Sequence, residues 1–482
     1  MASRPALEHY STGDTPIGTL LDDPAARAVL MKYVPMLVGN TRSAAIRSQT
    51  LRSIQGYALA ILSDEVLARI DADLAQLPPV ARNGPPPRMT TDEARVRPYT
   101  LPDPLRASDG SRVTTARAWL TKRRPEIVRQ FETLEYGRAP GRPAGEHFEV
   151  VDRGTPAFGG KAVRKQVTIA LARDPAAPAI HLVEYLPAGA TKRSPMFLMI
   201  GFSAPSAMID DPGIRPSLVW DPETRTKVPA KGSPGGKFDP LPFLQAGIGV
   251  ATYYYGDVEP DFAGGEALGI RGYFARTGAL KPSSDTWGAI AAWAWSLSRV
   301  QDYLDADLAV DANMVAIYGA SRLGKTVLWA GAKDTRFAAV IACCSGKMGA
   351  GLMRRNFGAP IAGSESEGGS NYWVAQNFTQ FFGHEDALPM DGHELLALIA
   401  PRPFLLQTGK YDHAADPKGE FLAVQAAGPV YRLFGKRGIG DAQWPPSSPI
   451  LGDLGYTMNS GGHGPAPGDW LVYREFLKLH GF

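Results

Sequence analysis

The run Asn313-Met-Val-Ala-Ile-Tyr-Gly-Ala-Ser-Arg-Leu-Gly-Lys325 decides how this chain is read. An apolar stretch, Met314 to Tyr318, ends in Gly319; a tight corner carries Ser321; good helix formers resume from Lys325 to Ala330. That order predicts strand, sharp turn, helix. A serine on such a corner stands clear of the backbone. A base can reach its hydroxyl there, and the N-terminus of the next helix faces a developing oxyanion. The common form of the corner is G-x-S-x-G, whereas here the second glycine comes one place later, at Gly324. A plain strand-to-helix turn would fit the same residues, so the rest of the chain must supply partners for Ser321.

The 482 residues are enough for a large core and something smaller beside it. Basic and acidic side chains nearly balance, 51 against 48, so neither nucleic acid nor a membrane is an expected partner. The basic cluster Lys122-Arg123-Arg124 reads as a solvated face. The two cysteines, Cys343 and Cys344, are adjacent, which excludes a disulfide framework and a cysteine-based metal site. They lie in a run, Phe337 to Ser345, that reads as a buried strand with two small core residues. No apolar run approaches a membrane span, and Met1-Ala-Ser-Arg-Pro5 carries no charged-then-apolar leader.

Residues 1–14 are polar. From Thr15 to Leu77 the pattern is helical: Asp22-Asp23-Pro24 starts one helix, and Ser63 starts another with Val66, Ile70, Leu74 and Leu77 on one face. Ala44 to Leu62 suits one or two more helices. Pro78-Pro79 and Gly84-Pro-Pro-Pro87 then form a stiff linker. Residues 1–88 are therefore expected to be a helical appendage and its linker, without recognisable site chemistry, and 89–482 the catalytic domain. Past Tyr99, a helical stretch runs from Trp119 to Tyr136. Strand-like runs follow at Val163–Ala172, Ile180–Leu186, Met196–Phe202, Gly247–Tyr255, Met314–Tyr318, Ala338–Ala342 and Pro403–Gln407. Helical patterns such as Trp287 to Tyr303 separate several of them, which predicts a largely parallel sheet with helices on both faces. Asp211 to Lys237 reads as an insertion loop near the mouth of that sheet.

A serine nucleophile needs a base, and the base needs a carboxylate to hold its tautomer. In doubly wound hydrolase folds these follow in the order serine, acid, histidine. His463 sits in the glycine-rich loop Asn459-Ser-Gly-Gly-His-Gly-Pro465, before the last helix. Asp412 lies just past the strand Pro403–Gln407, at a strand end where open α/β sheets place functional groups. Asp416, followed by Pro417, is better suited to start a helix. Ser321, Asp412 and His463 thus appear in the expected order.

The segments Tyr253-Tyr-Tyr-Gly-Asp-Val-Glu-Pro-Asp-Phe262, Trp287-Gly-Ala-Ile-Ala-Ala-Trp-Ala-Trp295, Gly319-Ala-Ser-Arg-Leu-Gly-Lys325, Leu398-Ile-Ala-Pro-Arg-Pro403 and Asp416-Pro-Lys-Gly-Glu-Phe421 together resemble the bacterial glucuronoyl esterases of carbohydrate esterase family 15. The likeness covers residues 95–482. It implies an α/β-hydrolase three-layer sandwich and hydrolysis of the ester between 4-O-methyl-glucuronate on xylan and an alcohol of lignin. It also implies that Ser321 is the nucleophile, His463 the base and Asp412 the acid. Arg322 would hold the oxyanion and Lys325 would contact sugar hydroxyls. Three positions depart from the family pattern. Cys344 stands where many members carry a glutamate acid, Ala359 where a sugar-binding glutamate is expected, and Ala414 where a tryptophan is expected. Glu365, Glu367 and Trp373, in a glycine-rich loop nearby, are candidates to replace the lost sugar contacts.

The reading is a serine carboxylic-ester hydrolase needing no cofactor or metal. It is expected to work as a monomer on small-molecule or polysaccharide esters, secreted or periplasmic in mature form. Two alternatives stand beside it. One is an esterase for another acyl–alcohol pair, such as acetyl xylan or an aryl ester, which Ala359 and Ala414 favour. The other is a non-catalytic carbohydrate-binding protein on the same fold.

Overall fold

A computed structural model of the chain describes residues 7–39, 46–81, 89–233, 236–278, 280–361 and 370–482. The quoted run forms the strand Val310–Ala320. Its alternation sends Val315 and Ile317 into one apolar cluster and Ala316 and Tyr318 into another on the opposite face. Strands of this period come together in a nine-stranded sheet. In chain order they are β1 (His147–Ala157), β2 (Ala162–Ala170), β3 (Ala179–Pro187), β4 (Ser194–Gly201), β5 (Gly249–Tyr254), β6 (Val310–Ala320), β7 (Ala339–Cys343), β8 (Phe404–Gly409) and β9 (Leu454–Asn459). Their spatial order is β9-β8-β7-β6-β4-β5-β3-β2-β1, parallel from β9 to β5 and antiparallel through β3, β2 and β1.

Helices α3 (Ala289–Leu304), α4 (Arg322–Lys333) and α5 (Pro417–Leu433) cover one face, while Leu241–Leu244 and α6 (Asp469–Leu479) cover the other. The result is the expected three-layer sandwich. β1 is a strand that sequence periodicity missed. It is an edge strand, exposed along much of its length and interrupted by Gly154 and Pro156, so it carries no clean alternation. The supposedly solvated cluster at 122–124 is also corrected. Arg123 is buried with its guanidinium 2.7 Å from Glu394, and Arg124 donates to the carbonyls of Ala332 and Leu398. The expected insertion loop at 211–237 contains a small hairpin, Leu218–Asp221 against Thr226–Pro229.

The N-terminal segment has its own apolar cluster, including Ile17, Leu20, Leu30, Leu51, Leu67, Ile70 and Leu74. Asp23 caps α1 (Pro24–Tyr33) by accepting from the N–H groups of Ala25 and Ala26, and Ser63 caps α2 (Asp64–Leu74). The buried face of α2 is Leu67, Ile70 and Leu74, with Val66 and Leu77 at its rim. The α-helices expected within 44–62 do not form in the described part, which includes the 3₁₀ turn Gln55–Tyr57. Thr50 and Ser53 exchange side-chain and backbone hydrogen bonds there, and that local bonding competes with the helix. The Gly84–Pro87 part of the linker lies outside the described residues. Among the described residues, no helix is long and apolar enough to cross a membrane.

Because the segment's core is separate, Ile70→Ala should destabilise it by about 2–5 kcal/mol while sparing the main sheet. Amide hydrogen exchange should show residues 46–81 losing protection ahead of β6 and β7; simultaneous loss everywhere would refute a separate core.

Candidate active site

Ser321 joins β6 to α4 with φ 56° and ψ −126°. Such a backbone costs a non-glycine residue about 1–3 kcal/mol and persists only where its surroundings impose it. Here the Ser321 N–H donates to the Cys343 carbonyl at 2.8 Å, while its own carbonyl accepts from Gly324 N–H at 2.8 Å. The corner is also too tight for side chains. A Cβ on Gly319 would stand 2.2 Å from the Leu323 carbonyl oxygen, and one on Gly324 would stand 2.9 Å from that of Cys343. Both glycines, including the displaced second one, are therefore steric requirements of this turn. The N–H groups of Arg322 and Leu323, which open α4 directly after the serine, have no partner within the helix, an arrangement suited to an oxyanion.

Asp412 follows β8 and His463 follows β9, so the parallel pairing of these strands delivers both side chains to one end of the sheet. His463 Nδ1 lies 2.7 Å from Asp412 Oδ2, with side-chain exposures of 15% and 1%. The histidine loop is tightly held. A Cβ on Gly409 would come within 1.8 Å of the Gly462 carbonyl oxygen, and Tyr411 N–H donates to Gly461 at 2.9 Å. Cys344 ties this loop to the elbow. Its neighbour Cys343 accepts from Ser321, and its own thiol accepts from Gly464 N–H. Read from sequence as a core filler, Cys344 is buried but also lies beside the pair. Its sulfur, the Asp412 carboxylate and the His463 imidazole come within 4.8 Å of one another. The hydrogen bond with Cys343 and burial push its pKa well up, so it is held as a neutral thiol, a poor cation ligand. Asp416, as expected, caps α5 and pairs with Arg355 at 2.8 Å.

Arg322 extends from the elbow to Asp261, with which it forms an ion pair. Asp261 also accepts from Tyr255 (2.9 Å), Tyr372 (2.8 Å) and Trp373 Nε1 (2.9 Å). The guanidinium is sandwiched by rings, 4.9 Å from the centre of Trp373 and 5.4 Å from that of Phe202. Burial works against the charge, but Asp261 and Tyr255 outweigh it and leave the Arg322 pKa above its ordinary value. Asp261 was within a quoted segment but had no assigned role, since nothing local marks it as a hub. Trp373, a candidate sugar contact, lies over the Arg322 guanidinium, while Glu365 and Glu367 lie outside the described residues. Ala359 and Ala414 are neighbours, joined by a 2.9 Å bond from Ala359 N–H to the Ala414 carbonyl.

Lys325, implied by the resemblance to reach sugar, is instead buried, its ammonium donating to the Ser345 carbonyl. Burial lowers its pKa to about 8 against the opposing pull of Glu420. Glu420 accepts from Ser345 Oγ (2.9 Å) and Gly346 N–H (2.8 Å), and burial pushes its carboxyl up to about 8. Glu135, which sequence reading did not select, is buried in a π-turn; burial raises it to about 8 as well, while the Tyr136 hydroxyl is directed to the Met348 carbonyl. Both carboxyls start from 4.5. Between 4.5 and about 8 the unfolded chain ionises them while the folded one does not, so each subtracts stability as pH rises through that window. Lys325 works oppositely and higher, its cost being relieved between about 8 and 10.5. Glu135→Gln should therefore raise the thermal midpoint at pH 8 and leave it unchanged at pH 4. An equal shift at both pH values would rule out the ionisation argument.

The N-terminal segment also reaches this site. Gly56 accepts from His463 N–H at 2.9 Å, and the Tyr57 ring lies 4.4 Å from the imidazole, centre to centre. Nothing in residues 15–77 signalled this contact.

Comparison with known proteins fits this geometry. The family model described as "Glucuronyl esterase, fungi" matches residues 220–435. Carbohydrate esterase MZ0003, from an unknown prokaryotic organism, is 41% identical over 81% of this chain and 91% of its own. A 4-O-methyl-glucuronoyl methylesterase of Schizophyllum commune is 27% identical over 74% of this chain and 81% of its own. Among solved structures, a glucuronoyl esterase from Solibacter usitatus is 40% identical with a TM-score of 0.75, covering 81% of this chain and 100% of that one. A promiscuous CE15 esterase from a marine bacterial metagenome, also 40% identical, has a TM-score of 0.73 over the same shares. On the strength of this identity over most of both chains, the protein belongs to carbohydrate esterase family 15, the glucuronoyl esterases, and is a carboxylic-ester hydrolase on an α/β-hydrolase fold.

Proposed function

We propose that Ser321, His463 and Asp412 carry out acyl transfer on glucuronate esters of the lignin–carbohydrate type. The observation that carries the reading is the 2.7 Å His463–Asp412 bond at the end of the sheet that also holds the strained Ser321. With Nδ1–H donated to Asp412, His463 keeps Nε2 free to accept the Ser321 proton. The serine oxygen then bonds to the ester carbonyl carbon. Arg322 and the N–H groups opening α4 stabilise the resulting oxyanion. The carbon–oxygen bond to the alcohol breaks as His463 returns the proton to that alcohol. Water, activated by the same imidazole, releases the acid and restores the serine. Asp261 holds Arg322 in place, and Lys325 braces the loop after β7 from beneath.

Arg322 and the ring of Trp373 form the polar and aromatic surface beside the nucleophile that suits a uronate. A second reading, wider ester tolerance, is favoured by Ala359 and Ala414 lying side by side and by the likeness to a relative described as promiscuous. A secreted or periplasmic workplace and a monomeric state fit a polymer substrate.

Ser321→Ala should cut hydrolysis of benzyl glucuronate by at least about 10³-fold; near-normal turnover would refute the nucleophile. Rates on benzyl glucuronate against acetylated xylan and nitrophenyl esters separate the two substrate readings. Asp261→Asn frees Arg322 and should lower kcat by about tenfold to a hundredfold with a smaller change in KM. An effect confined to KM would instead assign Asp261 to ground-state binding.

A further inference from the structure

About a fifth of this chain has no counterpart in the Solibacter usitatus enzyme, although that enzyme is matched along its whole length. The N-terminal segment accounts for a share of this size, yet it is in main-chain contact with both the acid loop and the base loop. A Cβ on Gly462 would stand 1.9 Å from the Gly56 carbonyl oxygen. A Cβ on Gly56 would stand 2.7 Å from the Tyr411 carbonyl oxygen and 2.9 Å from Asp412 Cα. Two backbones can come this close only where both residues lack side chains. The contact is also bonded, since Gly56 accepts the N–H of His463 itself.

The next residue is Tyr57. Its turn is anchored inside the segment, where Gln55 is fully buried and donates to Asp64 at 3.0 Å. Tyr57 is nevertheless 60% exposed, so the segment's own core makes little use of the ring. One face lies on the imidazole of His463, 4.4 Å between centres and tilted by 32°. The rest of the ring faces open space beside the residue that returns a proton to the departing alcohol. An aromatic ring beside that residue is placed to meet the alcohol portion of the ester.

We propose that the N-terminal segment is a working part of the active site. Through Gly56 and Tyr57 it positions His463, and the Tyr57 ring forms the wall that receives an aromatic or benzylic leaving alcohol. Tyr57 is a positioning residue for the base and a specificity determinant for the alcohol. The identity of the alcohol rests on the esterase reading above; the effect on His463 does not.

Two measurements on the full chain test this. The first is the rate at which a fluorophosphonate probe labels Ser321, which reports activation of the serine without any glucuronate. The second is the ratio of kcat/KM for benzyl and methyl glucuronate. Tyr57→Ala should slow labelling about tenfold and reduce the benzyl preference about threefold to tenfold. Tyr57→Phe should keep both within about twofold, because the ring face and not the hydroxyl meets the imidazole. Met36→Ser, on the same segment and 75% exposed, should match the wild type. Thermal midpoints check folding, and Tyr57→Leu replaces the alanine variant if that one does not fold. Labelling of Tyr57→Ala at the wild-type rate would overturn the positioning role, and an unchanged benzyl preference would overturn the wall. If the wild type is labelled at Ser321 but cleaves no glucuronate ester, the substrate reading fails alone. The labelling comparison then still decides the case for Tyr57.

Discussion

The hydrogen bond from Ser321 N–H to the Cys343 carbonyl holds together what this protein uses. It fixes a serine in a conformation that serine rarely takes. It also bridges the ends of β6 and β7, the strands at the middle of the parallel part of the sheet. Cys344, one residue further, meets the histidine loop through Gly464, so a single short stretch ties the elbow to the loop of His463. Strain at the elbow is sustained by rigid neighbours on every side: Leu323 against Gly319, Cys343 against Gly324 and the sheet beneath.

Around this point the interior carries an unusual amount of ionisable chemistry. Lys325, Glu135 and Glu420 are all buried, and burial drives each toward its neutral form. Arg322 keeps its charge because Asp261, Tyr255, Tyr372 and Trp373 form a cage centred on one carboxylate. Such networks add little to net stability once desolvation is counted, and their value is in orientation. In this site they fix one guanidinium beside Ser321 and brace the loop after β7.

The N-terminal segment changes how the loops of Asp412 and His463 are supported. The loops of Asp412 and His463 leave adjacent parallel strands, and a loop at a sheet end is usually free on its solvent side. Here that side is closed by Gly56, and the imidazole is covered by a ring from a segment with its own core. Among the described residues, the segment gives His463 one backbone hydrogen bond and one ring face, and it packs Gly56 against the Asp412 loop.

Local sequence was sufficient for features that depend on near neighbours. The strand, corner and helix around Ser321 follow from an apolar run, two glycines and helix formers within thirteen residues. The caps at Asp23, Ser63 and Asp416 follow from side chains that bond two or three residues ahead. The proposed order of Ser321, Asp412 and His463 was legible because each residue stands just past a strand. The cage around Asp261, the inward turn of Lys325, the place of Glu135 and the reach of Tyr57 were not legible. Each depends on how far apart strand ends and loops lie in space, and no periodicity records a contact between residues 57 and 463. Chain pattern determined which residues are equipped for ester chemistry; packing decided which of them meet, because burial and close backbone approach exist only once distant segments share one surface.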